Sequence, residues 1–156
     1  MPTLYMLVGV PGSGKSTWIE AQNFDPETTV ILSTDKHIDV EAARQNKTYS
    51  QVFSSYVKRA TAIMNAGLKM AVVDNMNIVW DQTNVTAKAR AKKLEQVPST
   101  YRKVAVFFPT PEAKELQRRL DSRPGKTIPA NVMLAMASSL EAPTVDEGFD
   151  EVVVVS

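Results

Sequence analysis

Gly9, Gly14, Lys15 and Ser16 stand in the spacing G-x-x-x-x-G-K-[ST], with Pro11, Gly12 and Ser13 inside the turn and Thr17 just after it. Residue types in this pattern suit the binding of phosphate. Glycines let successive backbone N–H groups turn inward onto phosphate oxygens, and a helix starting near Lys15 would add its positive end. Lys15 would reach the terminal phosphates of a nucleotide, and Ser16 would offer its hydroxyl to Mg²⁺. An apolar run, Leu4 to Val8, precedes the loop, and a helix-like pattern follows it. That is the strand, loop and helix context the motif requires.

Moving a phosphoryl group needs a base for the acceptor hydroxyl, cations over the moving group, and side chains that orient the acceptor. The chain offers a candidate for each. Asp35 follows the apolar run Thr29 to Ser33 at the carboxyl end of an expected strand, where open α/β sheets bind ligands; the competing role is an N-cap for the next segment. Arg119 and Arg123, at i, i+4 spacing, could clamp phosphates or simply form a solvated basic face. Asp81, Thr83 and Asn84 could line the acceptor side from another strand end.

The elements that would position these groups alternate. Strands are expected at Thr3 to Val8, Thr29 to Ser33, Ile78 to Asn84, Lys103 to Phe108 and Glu151 to Val155. Helices are expected after the loop to about Ala21, from Gln51 through Ala71, over Thr86 to Leu94, from a Thr110-Pro111-Glu112 start with proline in the first position, and from about Ala130 to Leu140. Residues 36–50 are polar and uneven and carry no clear element. Met70 to Asn75 competes with Ile78 to Asn84 as a strand, but the apolar helical stripe runs through Ala71, which favours the second. Strands alternating with helices imply an α/β three-layer sandwich: a mostly parallel sheet, helices on both faces, and a short basic lid at about 117–130.

At 156 residues the chain is expected to form one domain, residues 1–156, with 44% apolar and 22% charged residues. A net charge of +1 puts any nucleic-acid role on local patches rather than on the whole-molecule field. The lack of cysteine excludes disulfides and thiolate metal sites and fits a reducing, cytoplasmic setting. The N-terminal apolar run is short and leads straight into the loop, so a core strand is expected there and not a signal peptide.

The phosphate loop through Trp18, Ser33-Thr34-Asp35, Asp81-Gln82-Thr83-Asn84 with Arg90 after it, and Arg119 to Pro129 occur in the order found in the 5′-hydroxyl polynucleotide kinases. The tail Leu140 to Val152 is also similar to the end of the kinase domain in that family. The resemblance spans nearly the whole chain and implies transfer of the γ-phosphate of ATP to the 5′-hydroxyl of DNA or RNA. It implies Lys15 and Ser16 as the phosphate and Mg²⁺ residues, Asp35 as general base, Arg123 as the lid arginine with Arg119 one turn earlier, and Asp81, Thr83 and Asn84 on the acceptor side. Some phage members carry an acceptor-binding arginine three residues after the base, where this chain has Ile38. The D-x-D-G-[TS] phosphatase signature of two-domain members does not occur.

Two further readings stay open beside this one: a kinase for a nucleoside or other small hydroxyl compound, and a nucleotide-hydrolysing switch. Lys88, Arg90, Lys92 and Lys93, with Arg102 and Lys103 nearby, could form a track for nucleic-acid phosphates or a solvated face. Trp18 and Trp80 flank core elements, and packing is their expected role.

Overall fold

The computed structural model describes residues 1–156. Five strands form one sheet: β1 (Thr3–Val8), β2 (Thr29–Leu32), β3 (Asn77–Trp80), β4 (Arg102–Phe107) and β5 (Glu151–Val154). Their spatial order is β2-β3-β1-β4-β5, and every pairing is parallel. β1 lies in the middle, in register with β4 from Thr3 opposite Arg102 to Val8 opposite Phe107. Its carboxyl end therefore opens at the centre of the sheet, where the phosphate loop begins.

Side chains alternate across the pleat, so a central strand must feed two cores. Leu4 and Met6 join Met64, Leu68 and Ala71 of α3 (Tyr49–Val73) and Leu94 of α4 (Ala87–Leu94) on one face. Leu7 joins Val79, Val106 and Phe108 on the other, and Trp18 and Ile19 of α1 (Lys15–Gln22) pack against them. Helices thus cover both faces, as the alternation of elements implies. Both tryptophans pack: Trp80 is buried, and Trp18 lies against Tyr5, Phe24 and Phe108.

α3 runs through Val73 and β3 starts at Asn77, so the choice of the later strand holds. The strand is shorter than expected and ends at Trp80 rather than Asn84. Asp81 still donates its amide to Leu32 O at 2.8 Å, but the chain then turns away. Gly9 donates to Thr83 O at 3.0 Å, and Asn84 takes a left-handed φ of 47°, which no strand residue adopts.

Most of residues 36–50, where the sequence showed no clear element, belongs to the helix α2 (Thr34–Gln45), and α3 already starts at Tyr49. The α2 signal is weak because only a narrow stripe is apolar. Ile38 and Ala42, four apart, pack on Val52 and Ala60 of α3, and Ser33 caps the start by accepting from the Lys36 amide. α5 (Ala113–Asp121) begins one residue after its cap Glu112, so Pro111 lies outside the helix and not at its first position. α6 (Ala130–Ser139) and the short 3₁₀ turn Val145–Glu147 complete the chain. No helix is long and apolar enough to cross a membrane.

Candidate active site

The loop after β1, Pro11 to Gly14, lines a cleft at the carboxyl end of the central strand. Gly12 and Gly14 have φ values of 81° and 108°, conformations that a side chain would strain. Gly14 serves as the N-cap of α1 without any side-chain cap, which leaves the first amides of the helix free for a ligand. Gly9 is needed for closeness: a Cβ there would stand 2.5 Å from Ser13 Oγ and 2.9 Å from Phe108 Cβ. Lys15 leans back over the loop, its Nζ donating to Gly9 O at 2.9 Å and Val10 O at 3.0 Å. Burial pushes its ammonium down to about 8, against the opposing pull of Asp81 and Asp35; Arg123 adds to the lowering.

Pro11 to Thr17, Asp35, Asp81, Thr83, Arg119 and Arg123 line one open cleft of about 1300 Å³. Asp35 sits in the first turn of α2, beyond the cap Ser33, so the cap role that competed for it belongs to its neighbour. Its Oδ1 accepts a hydrogen bond of 2.5 Å from the Tyr49 hydroxyl. Burial raises the carboxyl of Asp81, the Lys15 ammonium opposes this, and the Asp35 carboxylate raises it further. Two carboxylates and one ammonium therefore share the floor of the cleft.

α5 ends at Asp121, so Arg119 and Arg123 do not share a helical face, contrary to the i, i+4 expectation. They reach the cleft by different routes. Arg119 projects from α5, held by Glu115 at 2.8 Å, and its Nη1 donates to Gly12 O at 3.0 Å. Arg123 lies past the helix end, and its buried Nη1 has no partner. The other buried side-chain atom without a partner is Ser13 Oγ, close against Gly9 in the loop. Buried polar groups are normally satisfied, and both of these are donors lining one cleft, which suits an anion with several acceptor oxygens. The residues present therefore fit a nucleoside triphosphate. Ser16 and Asp81 both line this cleft, and no cluster of three or more acidic, His or Cys ligands exists. That donor set suits Mg²⁺, which takes one or two protein ligands and completes its shell with phosphate and water.

Three residues are placed otherwise than the sequence suggested. Asn84 does not line the cleft: it is 3% exposed, its Nδ2 donates to Leu7 O at 2.7 Å, and its Oδ1 accepts from Lys93. Arg90 is fully buried; it pairs with Glu147 at 2.8 Å and donates to Asn84 O at 2.8 Å, so it cannot belong to a surface track. Lys93 turns inward too, donating to Gln82 Oε1 at 2.7 Å, and burial lowers its ammonium to about 8. Ile38, where some phage relatives carry arginine, is wholly buried in the α2/α3 contact and does not line the cleft.

Sequence reasoning missed Tyr49, Gln82, Asp39 and Lys126. Gln82 Nε2 donates to Thr34 Oγ1 at 3.4 Å, beside Asp35, and Lys126 Nζ pairs with Asp39 at 2.9 Å. Gln82 and Lys126 had a signal, their places inside the Asp81 to Asn84 segment and the basic stretch at 117–130.

A family model described as an AAA domain matches residues 4–143. Heterogeneous nuclear ribonucleoprotein U-like protein 2 of Mus musculus is 26% identical over 158 residues, covering 94% of this chain and 20% of the mouse protein. A chain in the structure of the Pnkp1/Rnl/Hen1 RNA repair complex superposes with a TM-score of 0.71 at 25% identity, over 96% of this chain and 46% of that one. A gluconokinase from Sinorhizobium meliloti 1021 has a TM-score of 0.53 at 18% identity, over 99% of this chain and 82% of its own, and its likeness is one of fold alone. This chain thus spans less than half the length of the first two. The phosphate loop at the end of the central strand and the match over residues 4–143 agree, and the chain belongs to the AAA domain family as a P-loop domain of kinase-type fold.

Proposed function

We propose that residues 1–156 act as a polynucleotide 5′-hydroxyl kinase domain, moving the γ-phosphate of ATP to a 5′-hydroxyl end of DNA or RNA, with the segment at 117–130 as its lid. One observation carries the reading. Ser13 and Arg123, whose Oγ and Nη1 lack partners, line the same cleft as Lys15 and as Asp35, whose Oδ1 is held by Tyr49. The order of motifs and the likeness to a chain of an RNA repair complex support a nucleic-acid acceptor.

In this reading Asp35 Oδ2 takes the proton of the acceptor hydroxyl as its oxygen bonds to the γ-phosphorus. The bond from that phosphorus to the bridging oxygen breaks, and ADP leaves with the electron pair. Lys15, Arg119 and Arg123 spread the developing charge, while Asp81 and Thr83 border the acceptor. Ser16 would hold Mg²⁺, which neutralises phosphate charge. A small hydroxyl acceptor is the second reading. It is favoured by the inward turn of Arg90 and Lys93, which leaves the expected phosphate track short of two cations.

Phosphate transfer from γ-labelled ATP with Mg²⁺ separates these. Label is expected on 5′-hydroxyl DNA or RNA oligonucleotides and not on their 5′-phosphorylated forms or on a free nucleoside. Label on the nucleoside alone moves the acceptor to a small molecule, and ATP hydrolysis without transfer sinks both kinase readings.

The Lys15 ammonium also makes nucleotide binding depend on pH. Its value in the free protein is about 8, and bound phosphates favour the charged form, so binding takes up a proton above that value. ATP affinity is expected to fall as pH rises above about 8, and Lys15→Arg to remove that slope because guanidinium stays charged. Calorimetry in buffers of different ionisation heat counts the proton directly.

A further inference from the structure

Tyr49 opens α3 just behind its cap, Thr48, and touches two parts of the cleft at once. On one side its hydroxyl donates to Asp35 Oδ1 at 2.5 Å. On the other, Lys126 Nζ stands 4.9 Å from the centre of its ring and reaches on to Asp39 of α2 at 2.9 Å. The backbone repeats the grip. The Ser50 amide donates to Gly125 O at 3.0 Å, and the Thr127 amide donates to Ser50 Oγ at 2.9 Å. Gly125 is seated so tightly that a Cβ on it would come 2.9 Å from Thr48 Cβ. The segment held this way, 122–129, is the one that carries Arg123 with its free Nη1. Base and arginine are thus joined through the first two residues of α3.

We propose that Tyr49 is a positioning residue, which aligns Asp35 for proton transfer only while the 122–129 segment is docked with Arg123 in the cleft. The proposal rests on the kinase reading for its catalytic consequence; the mechanical link is independent of it. A carboxylate in the first turn of a helix swings about two torsions, and one short hydrogen bond to a ring wedged between α2 and the segment removes that freedom. Burial, and then the bond to Asp35, raise the phenol well above its ordinary range, so the hydroxyl stays a donor across the working pH. Undocking withdraws Lys126 from the ring and Thr127 from Ser50, so an open segment would leave the base loosely held. That order suppresses transfer to water before the cleft is assembled.

Two readouts test it. In Tyr49→Phe the ring and the Lys126 contact remain and only the donor is lost, so kcat should fall about tenfold with KM for ATP unchanged. In an Asp35→Asn background the same change should cost nothing further, because the proton acceptor it aligns is already gone. Unchanged kcat, or losses that multiply in the double variant, would overturn the positioning role. The second readout needs no activity. By reciprocity, taking away the carboxylate that Tyr49 holds must loosen the segment, so Asp35→Ala and Lys126→Gln should each speed hydrogen exchange at the Thr127 amide several-fold. Undiminished protection in both variants would refute the link. If the wild-type protein labels no acceptor, the kinase reading fails by itself, and exchange at Thr127 still decides whether base and segment are coupled.

Discussion

Asp35→Asn is expected to lower phosphate transfer to a 5′-hydroxyl end by about a thousandfold while ATP affinity changes little, in line with the usual worth of a general base. Asparagine keeps the shape of the side chain and can still accept the Tyr49 hydroxyl, so the bond now 2.5 Å long has a substitute and the fold is spared. What it cannot do is take a proton. The loss therefore falls on kcat, and equilibrium binding of ATP, governed by the loop amides, Lys15 and the arginines, stays near the wild-type value. A switch that only hydrolyses ATP predicts the reverse, with turnover nearly intact in the variant. Single-turnover transfer beside equilibrium nucleotide binding distinguishes the two.

Arg90→Leu should destabilise the fold by about 3 kcal/mol, read as a lowered urea midpoint, because it leaves a carboxylate without its buried partner. Arg90 is completely buried, its Nε and Nη2 meet Glu147 at 2.8 and 3.1 Å, and its Nη1 donates to Asn84 O at 2.8 Å. The estimate lies at the low end of the range for such pairs because the Glu147 side chain keeps 14% exposure and water can reach it. Burial by itself would raise the Glu147 carboxyl, but the hydrogen bonds from Arg90 and from the Thr144 amide outweigh it and bring it below its ordinary value. A carboxyl lowered on folding stabilises fully above its unfolded value, and that contribution is lost as pH falls through the folded one. The variant should therefore lose this part of the acid sensitivity along with the stability. Replacing Arg90 and Glu147 together by apolar residues should cost less than replacing Arg90 alone, since no charge is then stranded. Because Arg90 also holds the carbonyl of Asn84, next to Thr83 whose carbonyl accepts from Gly9 of the loop, the same substitution is expected to reduce activity at temperatures where the protein is still folded.

Local chemistry made much of this molecule legible. A loop that cradles phosphate needs glycine at fixed places, so Gly9, Gly12, Gly14 and Lys15 identify it from spacing alone. The central strand reads plainly because it is apolar on both faces, and α3 because its stripe is long. α2 was not legible, since its two core contacts, Ile38 and Ala42, become a pattern only when α3 lies against them. The length of β3 was equally hidden, because beyond Trp80 the chain bonds through Thr83 O to Gly9 of the phosphate loop.

By itself, then, the sequence determined the phosphate loop, the alternation of strands and helices, and the identity of the charged residues available to the cleft. Tertiary structure alone decided which of those charges face a ligand. Arg90, Lys93 and Asn84 carry the same side chains that line binding surfaces elsewhere, but here the descent from β3 into α4 turns them inward to satisfy one another and the backbone. Tyr49, far from the loop in the chain, reaches Asp35, and Lys126 reaches Tyr49 and Asp39, because α2 and α3 fold back as a pair and the 122–129 segment rests on the corner. Spacing along a chain encodes contacts within one turn of helix or strand; which sides of separate elements meet depends on packing across the sheet, where burial and hydrogen-bond satisfaction are settled together.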